Sequence, residues 1–145
     1  MKKTIIIIAI SLLVFGIMFF SKYFEFRQKY NEIKKFNIKY EKYLDKEILG
    51  TDITTIINHA VDDNEKAFVK KDEKGKYIQN DENSINIEIE TKDLGESRIY
   101  NMETLYNAGM SDFVKYYRQI EFKCKKIEYN SQKKVKYMLF EQITQ

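Results

Sequence analysis

The chain has 145 residues, with 25 Lys and Arg against 22 Asp and Glu, one His, one Cys, no Trp and no Pro. That length holds one domain plus an accessory segment but not two full domains, and one Cys with one His excludes both an intrachain disulfide framework and a Cys/His zinc site. A formal net charge of +3 does not mark a nucleic-acid binder.

Met1-Lys2-Lys3 precede an uncharged run, Thr4 to Phe20, in which only Thr4, Ser11 and Gly16 are not plainly apolar. As a helix these residues reach about 25 Å, the short end of what crosses a hydrocarbon core. Tyr23 and Phe24 carry the apolar character to the interface, and Lys22 can snorkel to the headgroups. Inside lipid only a helix satisfies every backbone group of such a segment, despite the β-branched Ile5 to Ile8.

A cleaved secretory signal has the same charged start and apolar middle, but it exits through small residues. Here the exit reads Met18-Phe19-Phe20-Ser21-Lys22-Tyr23, which is bulky, so the expectation is an uncleaved anchor over 4–20 with residues 1–3 as a cytoplasmic start. Lys22, Arg27, Lys29, Lys34 and Lys35 beyond the span oppose that orientation by simple counting. Glu25 and Glu32 interleave them, however, and long domains translocate largely regardless of charge. The expected partner is therefore the lipid bilayer, with a C-terminal domain outside the cytoplasm.

From Ser21 to Leu49 there is no Gly or Pro. Phe26, Tyr30, Ile33, Tyr40, Leu44 and Ile48 recur at helical spacing, Phe36 and Tyr43 widen the stripe, and charges fill the opposite face. The pattern predicts an amphipathic stalk over 21–49, one continuous helix with the anchor. Gly50 would end it and Thr51 would cap a new helix. Aromatics at the repeat positions suit the chain's own sheet better than a tight coiled-coil seam, which prefers Ile, Val and Leu.

Residues 50–145 read as a small α+β domain. A helix over 51–65 places Ile53, Ile56, Ile57, Ala60 and Asn64 on one face. Ala67 to Lys71 and Lys76 to Gln79 flank Asp72-Glu73-Lys74-Gly75, a turn signal predicting a hairpin. Ser84 to Thr91 alternates, with Ile85, Ile87 and Ile89 inward, and Lys92 to Ser97, with Gly95, turns it back toward Arg98-Ile99-Tyr100. Asn101 and Ser111 can each cap a short helix, the first ended by Gly109. In the final hairpin Ile120, Phe122 and Cys124 share a face, and the phase then slips to Ile127 and Tyr129, predicting a bulge at Lys125-Lys126. Beyond the Asn130 to Lys134 turn, Val135, Tyr137 and Leu139 form the expected inward row. Two helices followed by a mostly antiparallel sheet define α+β.

Charge is segregated. Residues 1–49 carry ten basic and five acidic groups, 50–112 seven and fourteen, and 113–145 eight and three. Such a pattern can dock copies head to tail, although solvated faces give the same numbers. His59 and Asp63 are spaced to share a metal, but two ligands without a third are not a site. Asp62-Asp63-Asn64-Glu65 lacks the alternation and central Gly of a calcium loop and reads as a solvated helix end. Cys124 reads as a buried, inert thiol. Lys123, Lys125, Lys126, Lys133, Lys134 and Lys136 form a basic patch, but Tyr129 and Tyr137 alternate to the other face, so nucleic acid is not the expected partner. No Ser/His/Asp set, phosphate loop or H-E-x-x-H occurs, so no catalytic residue, metal or cofactor is expected.

The order of apolar N-terminal helix, amphipathic continuation and small antiparallel sheet resembles the type IV pilin-like and pseudopilin proteins. The family's prepilin peptidase motif, a Gly just before the run and a Glu five residues later, is replaced here by Lys2-Lys3-Thr4, with no carboxylate until Glu25. The resemblance implies a bacterial single-pass envelope protein, a non-catalytic structural or assembly component, with self-association or envelope-complex proteins as partners. The alternative is a membrane-displayed module binding a ligand or peptide in a pocket between the sheet and the 51–65 helix.

Overall fold

The computed structural model describes residues 2–93 and 96–143, and they divide into two compact units, Met1–Lys35 and Phe36–Gln145. In the first, helix α1 (Lys2–Glu41) begins with the apolar run, whose large side chains cover nothing in the unit: Phe19 and Phe20 are each 72% exposed. This helix is long and apolar enough to cross a membrane. Phe26 and Tyr30 are exposed as well.

The second unit takes the last residues of α1. Tyr40 is fully buried, and Phe36 packs beside it with ring centroids 5.1 Å apart. The aromatic stripe thus divides. From Phe36 onward it lies on the protein's own core, as aromatic repeat positions suggested, while Phe26 and Tyr30 have no such cover.

The predicted 21–49 helix stops early. Turn bonds from Tyr43 N–H to Tyr40 O (3.1 Å) and Leu44 N–H to Glu41 O (3.0 Å) follow the last helical residue. Strand β1 (Glu47–Leu49) then pairs antiparallel with strand β4 (Glu121–Tyr129), Ile48 opposite Phe122. Nothing local ends the helix. The open edge of β4 competes for residues 47–49 and buries Ile48, which a helix would leave on the same stripe.

Gly50 is accordingly the first residue of helix α2 (Gly50–Lys66), not a stop. Its N–H reaches Ile120 O at 3.0 Å, and the Asp52 carboxylate, rather than Thr51, accepts the N–H of Leu49 at 3.1 Å. The inward face of α2 is the predicted one, Ile53, Ile56, Ile57, Ala60 and Asn64 all fully buried.

The predicted 67–79 hairpin narrows to a turn with a single bridge, Lys71 to Tyr77, and Gly75 supplies its positive φ of 77°. Strand β2 (Asn86–Asp93) continues from the buried Ile85 with Ile87 and Ile89 also fully buried. It pairs antiparallel with β3 (Glu96–Asn101); Gly95 of the predicted connecting turn lies outside the described residues. Helices α3 (Met102–Asn107) and α4 (Ser111–Tyr117) follow, with Gly109 at φ 75° between them as expected. Asn101 precedes α3 without a capping bond from its side chain, and Met110 rather than Ser111 stands at the cap of α4.

Strand β5 (Val135–Gln142) pairs antiparallel with β4 and parallel with β2, giving a five-stranded sheet in the order β1-β4-β5-β2-β3. The bulge at Lys125-Lys126 is present as a register shift between Cys124 and Lys126. A second shift, between Glu128 and Tyr129, leaves Lys136 without an opposite residue. It inverts the predicted row: Val135 is inward as expected, but Met138 and Phe140, not Tyr137 and Leu139, complete it. The inward rows meet α2 and Tyr40 in one core. Each fully buried Ile contributes about 1.5–3 kcal/mol through area removed from water.

Candidate functional site

Four consecutive residues near the end of α2 illustrate what polar side chains do here. Asp62 pairs with Lys66 at 2.6 Å on the surface. Asp63 accepts bonds from Lys39 Nζ at 2.7 and 2.8 Å and from the Tyr40 hydroxyl at 2.6 Å. Asn64 donates to Ile85 O at 2.8 Å and accepts its N–H at 2.9 Å, serving the start of the β2 segment as a strand would. Glu65 accepts from Lys71 at 2.7 Å and from the Tyr77 hydroxyl at 2.6 Å. In the run read as a solvated helix end, Asp62 and Glu65 are exposed, while Asp63, Asn64 and Glu65 also clamp α2 to the end of α1, to Ile85 before β2 and to the 71–77 turn.

The electrostatics follow the contacts. Burial, reinforced by the Asp63 bond, pushes the Tyr40 hydroxyl far above the ordinary tyrosine range. Burial and the Glu65 bond push Tyr77 up to about 12. The bond from Lys71, then that from Tyr77, holds Glu65 below the usual carboxylate range. Lys134 lies 4.0 Å from the Phe36 ring centroid, and burial pushes its amine down. Asp63 is thus saturated by Lys39 and Tyr40. His59 is half-buried, and no group of three His, Cys, Asp or Glu side chains is placed to hold a metal among the described residues.

Cys124 is half-buried; its thiol donates to Lys126 O at 3.4 Å, and burial raises its pKa. The predicted basic patch is divided among partners. Lys125 reaches Glu90 at 2.9 Å, Lys126 reaches Glu128 at 2.6 Å, and Lys136 reaches Asp81 at 3.5 Å. Tyr137, expected on the inward row, donates instead to Glu88 at 2.8 Å. Arrangements of this kind hold a fold together; they do not place a nucleophile beside a base.

The space between α2 and the sheet, where a ligand pocket was the alternative expectation, is filled by Ile53, Ile56, Ile57, Ile87 and Ile89, all fully buried. An apolar groove opens elsewhere, beside β3 and between α3 and α4. It has a volume of about 210 Å³, and its walls include Tyr100, Leu105, Met110, Phe113 and Tyr116, with Asp112 at one side. Tyr116 is 68% exposed and Ile99, on β3, 59%. Sequence reasoning missed this surface because its apolar walls come from three short elements, Tyr100 from β3, Leu105 from α3, and Phe113 and Tyr116 from α4. The one visible signal was the unusual density of Tyr and Phe over 100–117.

No protein-family model, no curated protein and no solved structure matches this chain. Its function rests on its own residues.

Proposed function

We propose that this is a single-pass membrane protein of a bacterial envelope whose α+β domain acts as a non-catalytic structural or assembly component, in the manner of pilin-like proteins. The observation that carries the reading is the exposure of α1: the large aliphatic and aromatic side chains from Ile5 to Phe20 cover nothing within their own unit. In water such a surface would be strongly unfavourable, whereas lipid satisfies it and the helix satisfies its own backbone. A non-catalytic role is supported by the way the chemistry-bearing side chains are used: Asp63 accepts from Lys39 and Tyr40, Glu65 Oε1 accepts from Lys71 and Tyr77, and the Cys124 thiol has a raised pKa. Three of the six lysines in the basic patch, Lys125, Lys126 and Lys136, pair with carboxylates, which supports a partner other than nucleic acid.

Fractionation tests the anchor. The full-length chain should stay with membranes through high salt and alkaline carbonate and leave them only in detergent. Release by carbonate, or a mature N-terminus beyond Ser21, overturns the reading. Reporter fusions at Gln145 test orientation; the expected result is activity outside the cytoplasm only.

A further inference from the structure

The two edges of the sheet differ in a way that bears on assembly. At one edge β1 is three residues long, and the chain turns at once into α2, with the N–H of Leu49 taken by the Asp52 carboxylate. That edge is blunted by shortness. At the other edge β3 runs for six residues, Glu96–Asn101, with no Pro, no Lys and no bulge against β2. Every second residue of an edge strand aims its N–H and C=O away from its neighbour, which makes a long, regular edge a template for another strand. Natural sheets protect such edges; this one carries an exposed Ile99 on the face it shares with Glu88 and Glu90.

We propose that β3 pairs antiparallel with β3 of a second copy of this chain about a two-fold axis through Ile99. The register is selected by complementarity. With Ile99 opposite Ile99 of the partner subunit, Ser97 falls opposite the partner's Asn101 and Arg98 opposite the partner's Tyr100. Directly opposed side chains share a face, so the exposed Ile99 gains an apolar partner. On the other face, Arg98 stacks toward the partner's Tyr100, which lines the groove that also carries Asp112. Among the described residues Arg98 has only a loose contact with Glu96 at 3.8 Å, both side chains largely exposed, so it loses little on changing partner. Moving the two-fold axis by one residue, to pass through Arg98, places Arg98 opposite Arg98, a like-charge pair. The groove's occupant is then the partner's guanidinium, held by aromatic faces and a carboxylate. A two-fold interface of this kind contains both halves of each contact, as isologous dimers do.

The proposal rests on the reading of the domain as an assembly component, and it supplies the self-association surface. Its test is disulfide trapping of the full-length protein in native membranes. In a Cys124→Ser background, Ile99→Cys places two thiols across the axis, where opposed Cβ atoms lie about 4.5–5.5 Å apart, near the distance a disulfide spans. Mild oxidation should convert Ile99→Cys to a covalent dimer at least about tenfold more than Thr51→Cys, an exposed control on α2. Adding Arg98→Asp should abolish the excess, and adding Asp112→Arg to that variant should restore it. Equal trapping at positions 99 and 51 overturns the proposal, and so does an adduct of Ile99→Cys with a different protein, which would mean a foreign strand occupies the edge. Dimer yield unchanged by Arg98→Asp overturns the assigned register. Because dimer is scored by mass whatever fraction holds the protein, failure of the pairing and failure of the anchor give separate results.

Discussion

Asn64 shows how one residue can stand in for a strand. Its amide satisfies both the N–H and the C=O of Ile85, a fully buried residue just before β2 begins. In Asn64→Ala both backbone groups lose their partner, each at a cost of about 1–3 kcal/mol. We expect the urea midpoint to fall accordingly with an unchanged slope, while Asn58→Ala, exposed on the opposite face of α2, leaves it in place. A second residue-scale expectation concerns alkaline pH. Tyr77 and Tyr129 are each pushed up to about 12 from 10.0, by burial and then by their bonds to Glu65 and Glu41. Between pH 10 and 12 the folded protein keeps these protons while the unfolded chain releases them. The stabilisation is therefore complete below pH 10 and is lost as pH rises through 12. Denaturation midpoints measured across that interval should fall less steeply for Tyr77→Phe and Tyr129→Phe than for the parent. At this scale the sequence revealed the side of α2 on which Asn64 lies but not its partner, because helical periodicity encodes a face and Ile85 is twenty-one positions away.

Among the elements, Gly50 separates two uses of glycine that look alike in a sequence. Gly109 and Gly75 sit at φ 75° and 77°, where a turn demands them. Gly50 is helical, and a Cβ there would collide with the backbone carbonyl of Tyr117, so the residue is needed for close approach of α4. Gly50→Ala must therefore push the start of α2 away from α4, at a cost of about 1–3 kcal/mol as for other overpacked sites. Calorimetry should show a lowered Tm for Gly50→Ala and none for Gly16→Ala, whose Cβ would meet nothing within 4 Å. The same ambiguity explains the misplaced helix end. A Gly after an apolar stripe reads as a stop, and only the unpaired edge of β4 turns residues 47–49 into strand. Regular elements were legible in α2 and in the row Ile85, Ile87 and Ile89, where one period ran unbroken and no open strand edge competed for the residues. β5 was misread because a bulge at Lys136, set by its partner strand, flips the phase after Val135. The groove beside β3 was illegible for a related reason, since Tyr100, Leu105 and Phe113 converge only through the turn at Gly109.

For the molecule as a whole, the sequence pattern put the start of the folded domain at residue 50, whereas the packing puts it at Phe36. Three features of the core lie before residue 50: Tyr40, fully buried; Ile48, buried opposite Phe122; and Phe36, tilted against Tyr40 and under the Lys134 amine. The polar clamp has the same reach, since Lys39 and Tyr40 satisfy Asp63, and Asn37 accepts the N–H of Val135 at 3.0 Å while donating to Lys133 O at 2.8 Å. A fragment beginning at Phe36 retains all of these. It should fold cooperatively and stay in solution without detergent, because the exposed aliphatic run and the uncovered Phe26 and Tyr30 are gone. A fragment beginning at Gly50 exposes the pocket left by Tyr40, bares the edge of β4 and leaves Asp63 without its cation and hydroxyl. Loss of a large buried aromatic alone costs about 3–5 kcal/mol, a large share of the stability of a domain this size. The expected outcome is a sharp urea transition for 36–145, and aggregation or a transition without a folded baseline for 50–145. Equal stability of the two fragments would show that the end of α1 decorates the sheet and does not complete its core.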